Sequence, residues 1–250
     1  MPLSQIPLLQ ADNLAFPDIA TAQRERDGLV AVGGDLSTAR MLAAYRQGIF
    51  PWYDEYHPII WWAFAERMVL YPASLNISRS LHKSLRNRAY CVSVNHAFQH
   101  VVRRCARAYR HGQQGTWITA EMQAAYRALY QIGHAHSFEY WYPSEAGGWH
   151  LGGGLYGVQI GQVFFGESMF ADVSDASKIA FVHAVGYLQQ RGVKLIDCQM
   201  HTDHLARFGG KLIPYDDFRQ QLYAYCPQML TLTIEPTIIA NTCPQYPPPF

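Results

Sequence analysis

Long apolar runs are missing from this 250-residue chain, and a membrane-spanning helix, which needs about 18 or more consecutive apolar residues, is not expected. The N-terminal stretch MPLSQIPLLQADN has neither a basic start nor an apolar run, so no signal peptide is expected either. Paired cysteines are missing too. The five present (Cys91, Cys105, Cys198, Cys226 and Cys243) are an odd number with no C-x-x-C pair, which fits free thiols in a reducing cytoplasm. No charge of one sign dominates: 20 Lys+Arg against 19 Asp+Glu leave a net charge of +1. A strongly basic nucleic-acid coat is thereby excluded, whereas a local basic patch is not. There is no P-loop and no Gly-x-Gly-x-x-Gly turn opening a helix after a strand, so a dinucleotide site is unsupported.

What is there is core-forming material. With 49% hydrophobic and 16% charged residues the chain is not disordered and has enough apolar surface for a core. The aromatics, 16 Tyr and 6 Trp among them, serve core packing and offer stacking faces. Up to Leu75 the chain is rich in Pro, Gly and Trp and reads as short elements joined by turns. Gly33-Gly34-Asp35 is a turn, Ser37 caps a helix through Arg46, and Gly48 closes it. A strand over Met68–Tyr71 stops at Pro72. Ser78 caps a short basic helix, Arg79–Asn87, and Tyr90–Val94 alternates as a strand. Asn95 is expected to open a helix with Phe98, Val101, Val102, Cys105 and Ala108 on its apolar face and Arg103, Arg104, Arg107 and Arg110 on the other. Thr119–Ile132 is a second amphipathic helix. Then come strands at Ser137–Tyr142, Leu151–Ile160 and Gln162–Met169, an antiparallel meander turning at Glu145-Ala146-Gly147-Gly148 and at Gly161. Asp175 caps a helix through Gln190, and Lys194–Met200 reads as a buried strand. Short helices follow at His201–Phe208 and Asp216–Tyr225, and the end is Pro-rich.

This order describes an α+β fold: a small N-terminal α/β domain (1–70), a GNAT-like, acetyltransferase-type domain with a mixed sheet (71–226), and a poorly ordered tail (227–250). The GNAT comparison is an analogy of fold, and fold alone does not fix function.

Several side chains are candidates for chemistry. Asp197 and Gln199 are two apart on the predicted strand and therefore share a face, with Ile196 and Cys198 on the other. A carboxylate and an amide on an apolar strand need partners, whether backbone groups or a ligand. Glu167, in Phe164-Phe165-Gly166-Glu167-Ser168-Met169-Phe170, sits among aromatics, where an acid binds a cation or has a raised pKa. Gly152-Gly153-Gly154 and Gly157 mark either tight strand packing or a close approach to a ligand. His134 and His136, and Cys198 with His201 and His204, are candidate metal ligands; the Cys198-x2-His201-x2-His204 spacing is shorter than ordinary zinc patterns, no second Cys pair exists, and no metal is expected. Two basic clusters, Arg79/Lys83/Arg86/Arg88 and Arg103/Arg104/Arg107/Arg110, are solvated faces or hold a few phosphates.

Nine short runs then occur in a known order: Val32-Gly33-Gly34-Asp35-Leu36, Gly48-Ile49-Phe50-Pro51-Trp52, Ile60-Trp61-Trp62, Ile77-Ser78-Arg79-Ser80, Gly115-Thr116-Trp117-Ile118-Thr119, Gly133-His134-Ala135-His136-Ser137, Gly166-Glu167-Ser168-Met169-Phe170, Asp175-Ala176-Ser177-Lys178 and Leu195-Ile196-Asp197-Cys198-Gln199. From about Phe16 to Leu222 the chain resembles the leucyl/phenylalanyl-tRNA–protein transferases. It departs from the family's Ser-Pro-Asp-Pro-Arg type run with Ala63-Phe64-Ala65-Glu66-Arg67, has Arg86 where a Lys is familiar, and has Asn87 where an Arg is expected.

The resemblance implies a bacterial, cytoplasmic aminoacyltransferase without cofactor; a monomer away from the membrane is the default expectation. It would move Leu, Phe or Met from aminoacyl-tRNA to proteins with N-terminal Arg or Lys, marking them for N-end-rule degradation. Gln199 is expected to accept a hydrogen bond from the attacking amine, Asp197 to orient Gln199, and Glu167 to hold the α-ammonium of the transferred residue. Phe164, Leu155 and Phe181 would wall its side chain. Trp52 and Trp117, with Phe50 nearby, would meet the 3′-terminal adenosine, and Arg79, Lys83 and Arg86 tRNA phosphates. The rival readings are an acyl-CoA-dependent N-acetyltransferase, whose Gly-rich phosphate turn is not found before the Asp175 helix, and a non-catalytic adaptor for N-terminal Arg or Lys.

Overall fold

The computed structural model describes residues 6–108, 116–144 and 147–243. Arg110, Gly115, the turn residues Glu145 and Ala146, and the Pro-rich end from Pro244 lie outside that description. In chain order the elements are β1 (Leu8–Leu9), α1 (Ile19–Arg26), β2 (Leu29–Gly33), α2 (Thr38–Tyr45), β3 (Phe50–Pro51), β4 (Ile60–Trp62), β5 (Glu66–Leu70), α3 (Arg79–Asn87), β6 (Cys91–Val94), α4 (Phe98–Arg107), α5 (Ala120–Gln131), β7 (Ala135–Pro143), β8 (Trp149–Ile160), β9 (Val163–Ala171), α6 (Ala176–Gln190), β10 (Leu195–Asp197), α7 (Asp203–Arg207), β11 (Lys211–Pro214), α8 (Tyr215–Tyr225) and β12 (Thr237–Asn241).

The first four strands form a small sheet of order β1-β2-β4-β3, and the rest a mixed sheet of order β11-β5-β10-β9-β8-β7-β6-β12. In the large sheet, among the described residues, β9 and β10 alone pair parallel; α6 makes the crossover between them. The architecture is α+β. Alternation along the strands sends Leu155, Phe164 and Ile196 into a core under α3 and α6. Tyr156, Phe165 and Leu195 go into a second core shared with α4, α5, α8 and the small sheet.

Local chemistry sets three helix starts where the sequence placed them. Ser37, Ser78 and Thr119 each accept a hydrogen bond from the backbone N–H three residues on, at Arg40, Leu81 and Met122. Such a cap is worth about 1 kcal/mol. The strand α6 covers is built from glycine. A Cβ on Gly153 would come within 2.6 Å of Ala176 Cβ, and one on Gly157 within 2.3 Å of Phe165 O. The glycines therefore serve close packing, the first of the two readings above.

Four expectations are corrected. Asn95 does not open α4. It has a left-handed φ of 62°, and its amide donates to Thr233 O (2.8 Å) and meets His136 Nδ1 (3.0 Å), while its Oδ1 accepts from Ser137 N. The carboxylate of Glu139 on β7 instead accepts from His96 N and Ala97 N at the start of α4, through-space capping that no local pattern encodes. The strand expected over Lys194–Met200 ends at Asp197, because Gln199 turns to φ 54° with its N–H donated back to Asp197 Oδ1. The helix expected over His201–Phe208 covers only Asp203–Arg207. The tail expected from 227 carries β12, an edge strand antiparallel to β6, in its described part. Among the described residues no helix is long and apolar enough to cross a membrane.

Gly157→Ala forces its methyl into a backbone carbonyl and is expected to lower unfolding stability by about 1–3 kcal/mol. Gly186→Ala, in α6 with nothing within 4 Å of the new methyl, is expected to raise it by up to about 1 kcal/mol. Urea unfolding of both variants checks the pair of opposite signs.

Candidate active site

The site begins with a missing stretch of ladder. β9 and β10 are paired at Leu195↔Val163, Ile196↔Phe164 and Asp197↔Phe165, and no further. On its other side β9 shifts register between Gly157↔Gly166 and Tyr156↔Ser168, which leaves Glu167 as the extra residue of a bulge. A bulge bends its strand and re-aims a side chain. Two parallel strands that part at their carboxyl ends open a crevice, the usual place for a ligand in a sheet with a crossover helix.

A cavity of about 390 Å³ fills that opening. Leu155, Phe164 and Ile196 from the sheet and Phe181, Ala184 and Leu188 from α6 form its apolar wall. Trp52 and Trp117 stand at another part of the lining, Trp52 edge-on to Trp62 with ring centroids 6.1 Å apart. Met200, Thr202, His204 and Leu205 complete the side beyond β10.

Polar groups converge on Glu167. Tyr45 donates to Oε1 (2.8 Å), Tyr126 donates to Oε2 (2.5 Å), and Gln199 Nε2 lies 3.5 Å from Oε1. Both tyrosines are fully buried, and burial, with the nearby Glu167 charge, pushes their phenols well up, so they stay donors. Burial pushes the Glu167 carboxyl up to about 7, against the phenol hydrogen bonds, with the Asp197 charge adding to the rise. An acid at that value is poised to ionise when a cation arrives.

Behind this face lies a buried ion pair. Arg67 Nε donates to Asp197 Oδ1 (2.8 Å) and Nη2 to Oδ2 (2.6 Å), and both side chains are fully buried. The guanidinium carbon is 4.7 Å from the ring centre of Phe50 and 4.9 Å from that of Phe218. The same Oδ1 accepts Gln199 N–H (2.9 Å), while Gln199 O accepts from Met68 N (3.1 Å). Gln199 is thus fixed from both backbone ends as the chain leaves β10.

The structure brings Glu167, Gln199, Phe164, Leu155, Phe181, Trp52 and Trp117 into one cavity lining. It does not put Asp197 there. Asp197 faces Arg67 on the opposite side of the sheet, and the left-handed turn at Gln199 swings that side chain to the cavity side with Ile196 and Cys198. The expected common face is therefore corrected: two-residue alternation holds only while the strand lasts. Phe50 is buried against Arg67 and is not part of the lining. Arg79, Lys83 and Arg86 are exposed on α3, outside the cavity. Cys198 lines the cavity, but burial and the Asp197 charge push its thiol far up, away from the thiolate a nucleophile needs. His134 and His136 are held by Gln159 O and Asn95, and no cluster of three metal-ligating side chains occurs among the described residues.

Sequence reasoning missed three contributors. Arg67 had a signal, a charge at the edge of the apolar strand Met68–Leu70. Tyr45 and Tyr126 had none, since each reads as one more aromatic on an amphipathic helix.

With this geometry in place, the comparisons with known proteins assign the class: the chain is an α+β aminoacyltransferase. The profile of the family described as leucyl/phenylalanyl-tRNA protein transferase matches residues 69–223, and that of its N-terminal domain matches residues 34–63. Proteins named leucyl/phenylalanyl-tRNA–protein transferase are 54% identical in Neisseria meningitidis serogroup C (strain 053442), over 87% of this chain and 90% of that protein, and 54% identical in Anaeromyxobacter sp. (strain K), over 89% and 91%. The chain belongs to the leucyl/phenylalanyl-tRNA–protein transferase family. Among solved structures, FemX is similar with a TM-score of 0.43 at 10% identity, over 84% of this chain and 70% of that one.

Removing one partner of a buried pair strands the other charge at a cost of about 3–5 kcal/mol. Asp197→Ala is therefore expected to lower unfolding stability by about that much, and Gln199→Ala by about 1 kcal/mol or less. Glu167 adds a pH signature. Its folded value lies above its ordinary 4.5, so its contribution to stability is full below 4.5 and is lost as pH rises through about 7. Glu167→Gln is expected to flatten that part of the stability–pH curve, read by urea unfolding from pH 4.5 to 8.

Proposed function

We propose that this protein transfers Leu, Phe or Met from aminoacyl-tRNA to the α-amine of proteins that begin with Arg or Lys. The product is marked for N-end-rule degradation, and the compartment is the cytoplasm. The observation that carries this reading is an apolar cavity with a half-ionisable carboxyl, Glu167, 3.5 Å from the amide of Gln199. A GNAT-type reading of the large sheet is supported by its antiparallel meander, crossover helix and parallel strand. The donor amino acid brings its own cation, the α-ammonium, whose ordinary pKa is about 7.7–8.0. Glu167 takes that cation as a carboxylate, and the Leu155–Phe164–Phe181 wall takes the side chain. Selection by apolar size is weak, about 1–3 kcal/mol per methylene, so neighbours such as Leu, Phe and Met overlap.

In the transfer step the acceptor nitrogen attacks the ester carbonyl, a C–N bond forms, and the bond to the ribose 3′-oxygen breaks, that oxygen ending with the proton. The ester is already activated, so orientation does most of the work. Gln199 Oε1 receives the amine N–H, and Asp197 acts as a positioning residue: it holds the Gln199 backbone N–H rather than the side chain. Trp52 and Trp117 offer faces for the terminal adenine. Arg79, Lys83 and Arg86 meet phosphates. Asp175 stands at the N-cap position of α6 without a side-chain cap bond, its carboxylate being held beside the first turn by Lys178 and Ser84, and that negative charge disfavours the CoA pyrophosphate of the rival reading.

Radiolabelled Leu-tRNA and a protein with N-terminal Arg, without ATP, are expected to give labelled protein, and no incorporation counts against the reading. Binding of a leucyl-adenosine analogue below pH 7 is expected to release a proton from Glu167. Calorimetry in buffers of different ionisation enthalpy reads this, and Glu167→Gln abolishes it.

A further inference from the structure

The basic face of α4 is left without a task by the site described above. α4 and α5 pack side by side in the core on the opposite face of the sheet from α3 and α6. The groove between them, about 300 Å³, is lined by Gln99, Val102 and Arg103 from α4 and by Gln123, Arg127 and Gln131 from α5, with no carboxylate in the lining. Arg103 and Arg127 are exposed, and neither forms an ion pair among the described residues. Arg103 Nε donates to Gln99 O, one turn back. Arg107, a turn further along the same face, is likewise exposed. Arg104 differs: it is paired with Asp172 at 2.5 Å and lies over Phe170. Like charges facing each other across a groove repel, and an anion seated between them relieves that cost.

Gln123 joins the groove to a neighbouring hollow. That hollow holds Thr116 and Ile118 together with Asp54, Glu55 and Glu121, so the anion-binding character is confined to the arginine side of Gln123, whose Nε2 donates to Ile118 O (3.1 Å). Trp117, between those two residues, lines the catalytic cavity. Arg127 lies about 12 Å along the α5 axis from its cap, Thr119, a span of a few nucleotides. Guanidinium and amide groups together suit a ribose–phosphate backbone, with donors for phosphate oxygens and both donors and acceptors for 2′-hydroxyls.

We propose that the α4–α5 groove is a second RNA-contact surface, which grips the phosphates and riboses of the donor tRNA beyond its 3′ end through Arg103 and Arg127. The inference rests on the donor being an aminoacyl-tRNA. The test compares two donors, Leu-tRNA and 3′-O-leucyl-adenosine, in the enzyme and in Arg103→Glu/Arg127→Glu. The expected result is a KM for Leu-tRNA raised about tenfold, with the slope of log affinity against log salt reduced by about 1–2. The KM for leucyl-adenosine stays within about twofold, since that donor has no backbone to grip. Arg103→Lys/Arg127→Lys, which keeps the charge, is expected to recover most of the Leu-tRNA affinity. An unchanged KM for Leu-tRNA, an equal rise for both donors, or a rise confined to the acceptor protein's KM overturns the proposal. Failure of the unaltered enzyme to transfer from either donor overturns instead the transferase reading on which it rests.

Discussion

Arg67 and Asp197 meet fully buried, the guanidinium beside two phenyl rings, where a charge alone would cost several kcal/mol. Their fork ties the end of β10 to β5, and the spare lone pair of the same carboxylate oxygen fixes the N–H of Gln199. The site inherits its geometry from this tie. With the backbone bonds to Met68 on either side, it holds the chain in the left-handed turn that brings Gln199 out of the strand and toward Glu167. Phe50 takes part from the small N-terminal sheet, so that sheet supports the site both through the far side of an ion pair and through Trp52, which β4 holds at the cavity lining.

Two carboxylates lie on either side of this arrangement with different surroundings. Asp197 is forked by a fixed guanidinium. Among the described residues Glu167 meets phenol and amide donors, and burial raises it to about 7. An acid left without a resident cation beside a greasy cavity is suited to a cation that comes and goes with an apolar side chain. An α-ammonium attached to Leu or Phe has that form. The parted strands supply the room, and the bulge at Glu167 supplies the aim.

Much of this was legible residue by residue. The caps at Ser37, Ser78 and Thr119, the meander, and the long α6 follow from short-range rules, because their stabilising contacts lie within a few residues of each other. What failed to show were contacts between distant positions. Asn95 looks like a helix cap, yet it serves His136 and Thr233, while Glu139 caps α4 from a different strand. β12 looks like part of a loose tail, and becomes a strand only because β6 offers an edge.

By itself the sequence determined the α+β class, the positions of most helices and strands, and the short runs that mark the transferase family. Those are properties of local spacing and residue type. Only the tertiary structure decided which way Asp197 faces, that Arg67 neutralises it, that Tyr45 and Tyr126 hold Glu167, and that Phe50 stands outside the cavity. The reason is physical. Alternation along a strand reports a side chain's face only while a neighbour strand keeps the ladder, and here the ladder stops at Asp197, where the site begins.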